Sequence, residues 1–166
     1  MPEQEAIAVN LETANAAVIE SVRAAPAVGW RHPVSDGDRR TAATLAHHIG
    51  AGYDNALEWG LSIRATRRMT DITPQSLAAQ NAEHALQFPL PDPEEVIGYL
   101  ASSCAELATL IRSIADSELD QPSTNVVMGD NWTLRAVFEA TLRHTERHHE
   151  QFRAAVEAAE EEAEAR

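Results

Sequence analysis

Apolar side chains recur along this chain every three or four residues, the spacing of a helix with one face turned inward, and they do so in four long stretches. The first runs from about Glu3 to Ala25, with Ile7, Leu11, Ala14, Val18 and Val22 on one face. Pro26 and Gly29 close it, and residues 30–38 (WRHPVSDGD) read as loop. The second, from about Arg39 to Arg64, carries the stripe Leu45, His48, Ile49, Gly52 and Ala56. The third opens at Asp92-Pro93-Glu94-Glu95 and reaches about residue 116. That opening combines a capping residue, a first-turn proline and two acids suited to the helix dipole. Its face is Val96, Leu100, Cys104, Leu107, Ile111 and Ile114. The fourth starts behind Thr133 as N-cap and runs to about residue 158, with Leu134, Val137, Phe138, Thr141, His144, His148 and Phe152 inward.

The connections organise these stretches. Thr73-Pro74 is a second cap-plus-proline start, and it predicts a short helix from about Pro74 to Gln87. A connection as long as Arg64 to Asp92 can carry the chain from one end of a bundle to the other, which lets the second and third helices run parallel. The expected fold is therefore all-α, a four-helix bundle with a long crossover connection carrying a short extra helix. Ser117 to Asn131 is another long loop, and residues 125–128 (Asn-Val-Val-Met) are apolar enough to leave strand or loop open there. Neither connection reads as a domain boundary, so residues 1–166 are expected to form one domain with an acidic C-terminal tail from about Glu157.

Composition narrows the function. Alanine is abundant and β-branched residues are not clustered, which supports helix. The net charge is −13, from 26 acidic against 13 basic side chains, and such a surface repels phosphate backbones and anionic lipid. Nucleic-acid and membrane partners are not expected, and no stretch is apolar enough to span a bilayer. Cys104 is the single cysteine, so no intrachain disulfide can form, and the first residues lack the pattern of a secretory signal. A cytoplasmic location is the expectation.

The histidines carry the candidate chemistry. His144 and His148 stand four apart, offset by roughly 40° around the helix axis, and both fall on the apolar line rather than the charged face of Arg143, Glu146, Arg147 and Glu150. Two imidazoles so placed can converge on one metal ion. His48 lies on the inward stripe of the second helix, whereas His47 sits nearer its flank, although a reading one residue out of phase would exchange them. All three inward histidines lie on the order of 14–22 Å from the starts of their helices, so they meet near mid-height of a bundle. Buried without a shared ion, each would require its own hydrogen-bond partner from an apolar stripe. His149 reads as the outer member of its doublet, and no partner is evident for His32 or His84. Gly52, one turn past His48, either leaves space for a substrate beside Tyr53 and Asn55 or only lets helices approach. Cys104, on a core face, reads as packing rather than nucleophile.

His48-Ile49 in the second helix, Trp132-Thr133-Leu134 opening the last and His144-x-x-x-His148-x-x-Gln151 within it resemble the DinB/YfiT-like superfamily, over most of the chain in order and spacing. The resemblance implies a four-helix bundle holding one divalent ion, zinc or nickel, through His48, His144 and His148. The chain departs from the family pattern at Thr145, where many relatives have Glu, and at His149-Glu150, where they have Arg-Gly. Some relatives are thiol-dependent, the mycothiol-dependent maleylpyruvate isomerases among them, and homodimers are common. The implied function is thus a metal-dependent enzyme acting on a small molecule, with a low-molecular-weight thiol as a second cofactor. A metal-dependent hydrolase and a non-catalytic metal- or ligand-binding bundle stay open beside it. Asp54, Glu83 and Tyr53 are candidate proton-handling groups without assigned roles, and Arg64, Arg67 and Arg68 are candidates to receive an anionic substrate.

Overall fold

Four side chains set where the main helices begin. Thr41 accepts a hydrogen bond from the Thr44 amide, Thr73 from Ser76, Asp92 from Glu94 and Thr133 from Ala136, each satisfying an amide that the first turn leaves without a partner. In the computed structural model, which describes residues 1–35, 40–69, 72–124 and 132–165, the helices are α1 (Glu3–Ala24), α2 (Ala27–Arg31), α3 (Ala42–Thr66), α4 (Pro74–Gln87), α5 (Pro93–Arg112), α6 (Asp116–Leu119) and α7 (Leu134–Glu164). Among the described residues there is no strand, only isolated bridges such as Arg68 to Thr124 and Ser123 to Trp132. No helix there is long and apolar enough to cross a membrane.

The four long helices form a ring in which α1 packs on α5, α5 on α3, α3 on α7 and α7 on α1. Their directions follow from the pairs that join them. Arg112 at the end of α5 holds Glu5 and Glu12 at the start of α1, so those two run antiparallel. Arg64 and Ser113 meet at the far ends of α3 and α5, while Thr44 reaches Phe88 and Pro89 just ahead of α5, so that pair runs parallel. The crossover that makes this possible is α4, as the long Arg64–Asp92 connection predicts. It contributes no buried residue. Helices α3 and α7 are antiparallel, with Gly60 beside Phe138 and Tyr53 beside Thr145. The centre is filled by Leu11, Leu45, Ile49, Tyr53, Leu100, Leu107, Ile111, Phe138 and Phe152, each almost wholly out of water. At roughly 1.5–3 kcal/mol per large side chain, this burial is the main term holding the ring together.

Several boundaries differ from the sequence reading. The loop expected after Pro26 contains α2, because Trp30 buries its ring edge-on against Phe152 and donates to the Pro91 carbonyl. Gly29 is there for space, since a Cβ would lie 2.9 Å from Val156 Cγ1. On α1 the inward position is Asn15 rather than Ala14, and its amide donates to the Leu100 carbonyl. The third main helix stops at Arg112 instead of about 116, and α6 follows, anchored by the buried Leu119. The acidic end remains helical to Glu164, with Ala155 and Ala159 buried on its inner face. Arg39 and the ambiguous residues 125–128 lie outside the described residues.

Two substitutions of opposite sign check these ends by urea unfolding. Arg67 closes α3 in the left-handed conformation, with φ of 58°, so Arg67→Gly is expected to raise stability by about 1 kcal/mol. Thr133→Ala removes the cap of α7 and is expected to lower it by about 1 kcal/mol.

Candidate metal centre

Because α3 and α7 run antiparallel, residues on their facing stripes approach in opposite order, and His48 arrives between His144 and His148. The Nε2 atoms of His48 and His144 lie 3.2 Å apart. Ring centres are 5.1 Å apart for His48–His144 and for His48–His148, and 4.4 Å for His144–His148. One ring nitrogen from each histidine lies within 4.8 Å of the other two. Two nitrogens sharing one tetrahedral zinc ion at ordinary bond lengths stand about 3.3 Å apart. The residues therefore fit a single divalent ion.

Each ring is oriented by its surroundings. His148 donates from Nδ1 to Gln151 Oε1 at 2.7 Å, which leaves the Nε2 lone pair to face inward. His144 lies flat against the backbone of α3 where Gly52 has no side chain, since a Cβ there would be 2.7 Å from His144 Cε1 and 2.9 Å from Nδ1. Gly52 thus makes room for the imidazole itself, a third role beside the two open from sequence. His144 Nδ1 is buried with no hydrogen-bond partner. One residue past His144, fully buried Thr145 bonds the Thr141 carbonyl and the Tyr53 hydroxyl.

Desolvation keeps these rings neutral. Burial is the largest cause holding His48 and His144 down to about 3, and the neighbouring histidines and Arg147 push in the same direction. His148 is lowered too, by burial and then by Arg147 and Arg40. Neutral imidazoles are the form that binds metal.

The triad opens on a cleft of about 530 Å³ between α3, α4 and α7. Arg40, Arg147, Asn55, Trp59, Leu77 and Trp132 are among its walls, and no carboxylate of the described residues lines it. Asn55 lines the cleft, whereas Tyr53 points into the core. Asp54 accepts from Tyr99 at 2.5 Å and Glu83 from Gln87, so none of the three candidate proton-handling groups lines it. Arg64, Arg67 and Arg68 are at the far end of α3, where Arg64 bonds Ser113, and the basic groups at the cleft are Arg40 and Arg147.

The remaining histidines have found partners. His47 turns to α4, bonding His84 at 2.8 Å and stacking on Phe88 at 3.9 Å. His84, without an evident partner in the sequence, is therefore the contact that ties the crossover to α3. His149 shares a hydrogen with Ser21 on α1, and His32 pairs with Glu162. Cys104 is buried and its thiol is pushed up to about 11 by desolvation, as an inert packing residue should be. Sequence reading missed Trp59 and Arg147. Their spacing was available, for His48, Gly52, Asn55 and Trp59 form one helical stripe, and Arg147 follows His144 by three.

The family model described as the DinB superfamily matches residues 10–152, a span that includes all three converging histidines. No curated protein and no solved structure matches the chain.

Two outcomes test this geometry. The unfolded chain binds protons that the folded histidines refuse, so metal-free protein is fully stabilised above about pH 6.5 and loses stability as pH falls towards about 3. Melting temperatures in chelator should fall steadily from pH 7 to 5, and a flat profile would mean the rings are not desolvated. Gly52→Ala should keep the helical circular dichroism while displacing His144, seen as a shifted His144 ring signal in NMR.

Proposed function

The chain belongs to the DinB superfamily, and from that membership and the converging imidazoles we propose that it is a metal-dependent enzyme, with zinc or nickel held by His48, His144 and His148, that uses a low-molecular-weight thiol to transfer to or isomerise a small electrophile. The observation that carries the reading is the triad itself, three neutral rings, two buried and His144 half-buried, lining an open cleft. A divalent ion held by three neutral ligands would keep its full charge and lower the pKa of a thiol or water brought against it.

The chain's own residues favour the thiol over water. A water nucleophile ordinarily relies on a positioned general base, often a carboxylate. None lines the cleft among the described residues. A thiol, with an ordinary pKa of about 8.5, is already close to ionising at neutral pH and its proton can leave to solvent through the open mouth. Gln151 fixes the His148 ring and Gly52 admits the His144 ring. The thiol-using relatives, including maleylpyruvate isomerases, tip the choice in the same direction.

Elemental analysis of purified protein should find about one zinc or nickel per chain. Replacing any one of the three histidines by Ala should lower that content markedly, and full retention in the triple variant would overturn the metal assignment. Gln151→Leu should weaken metal binding by roughly tenfold to a hundredfold, through a misoriented His148. Titrating cobalt-substituted protein with 2-mercaptoethanol should produce a sulfur-to-metal charge-transfer band that His148→Ala abolishes. No thiol binding at millimolar concentration, together with metal-dependent ester hydrolysis, would establish the hydrolase instead.

A further inference from the structure

The cleft has two chemically different ends. Along α3 the lining runs His48, Gly52, Asn55, Trp59, and along α7 in the opposite direction it runs Arg147 and His148, His144, then Thr141 and Ala140. Arg40, ahead of α3, therefore stands at one end, Arg147 lies level with the triad between His144 and His148, and Trp59 and Trp132 stand at the other end. Levels of Arg147 and Trp59 along the bundle differ by about 15 Å at 1.5 Å per residue. Helical side chains lean towards their own N-terminus. In this antiparallel pair that tips Trp59 and Arg147 towards each other.

Charge makes the arginine side distinctive. The chain carries twice as many acids as bases, and Arg112 and Arg135 are each bound by two carboxylates. Arg147 makes no hydrogen bond or ion pair with a described residue, and its cleft holds no described carboxylate. Its guanidinium offers a planar fork suited to a carboxylate or similar oxyanion. At the other end, neither Trp59 nor Trp132 stacks on another described ring, in contrast to Trp30 on Phe152, and Leu77 of α4 adds to the apolar wall.

We propose that the cleft takes a small organic anion with an apolar or aromatic end, its anionic group on Arg147 and its apolar end against Trp59 and Trp132, so that the bonds between them run past His144 at the edge of the triad. This names the substrate class for the enzyme reading above and rests on it for any turnover, but binding does not depend on the metal.

The test uses 4-phenylbutyrate as probe, with 4-phenylbutyramide lacking the charge and butyrate lacking the ring. NMR follows the indole N–H signals of the three tryptophans. Phenylbutyrate should shift Trp59 and Trp132 and leave Trp30, which is buried and donates to Pro91, unmoved. The amide and butyrate should each bind at least about tenfold more weakly, since one end of the site is then unused. Arg147→Gln should weaken phenylbutyrate about tenfold and leave the amide unchanged, and Trp59→Leu should weaken both acid and amide. Equal binding of acid and amide, or an unaltered acid affinity in Arg147→Gln, would overturn the proposal. Repeating the titration in chelator separates the two readings. Binding retained there supports the arginine-held anion whatever the metal content. Binding that vanishes in chelator yet survives Arg147→Gln would place the carboxylate on the metal and refute the arginine.

Discussion

Three imidazoles brought together between two helices, His48 and His148 buried and His144 half-buried, are the constraint on which the local structure depends. Each ring brings two polar nitrogens to the facing stripes of α3 and α7, where an unsatisfied polar group that is buried costs free energy. Among the described residues the triad finds one hydrogen bond, from His148 to Gln151, and a mutual contact between His48 and His144. The rest of the demand falls on whatever the three inward nitrogens bind. Small residues are placed accordingly. Gly52 admits one ring against the backbone, and Thr141 and Thr145 turn their hydroxyls back on their own helix.

The same constraint fixes the topology that surrounds the site. Helices α3 and α7 must be neighbours in the right register for a histidine on one to fall between a pair spaced four apart on the other, and here they are antiparallel. The crossover leaves α4 lying over the mouth of the cleft without any buried residue of its own. It is tied down by polar contacts, His84 to His47 and Gln80 to Asn55, and by Leu77. An element held in this way is the one most easily displaced when a ligand enters, since little apolar burial is lost when it moves.

Electrostatics separates the site from the remainder of the molecule. The net charge of −13 describes a surface that repels anions, whereas the cleft presents Arg40, Arg147 and neutral rings with no described carboxylate. Averages over the chain therefore mislead about its ligand. The composition argues against polyanions such as nucleic acid, while the local arrangement favours one small anion.

Periodicity alone was enough to place the long helices, because an amphipathic stripe is a local property written into spacing, and the caps at Thr73, Asp92 and Thr133 are equally local. It also put His48, His144 and His148 on inward faces, and the long Arg64–Asp92 connection allowed the parallel pair. Other features were set by contacts between residues far apart in the chain. Asn15 is inward because Leu100 offers it a carbonyl, α2 forms because Trp30 finds Phe152 and Pro91, and His84 matters because α4 folds back over His47. The two ends of the cleft belong to this second group. Arg147 reads in sequence as part of a charged face and Trp59 is not singled out, and only the docking of α3 on α7 brings both into the lining of one cleft. A stripe repeats along one helix and is visible in it, whereas a cleft is the space between helices, and its lining depends on packing that no single segment contains.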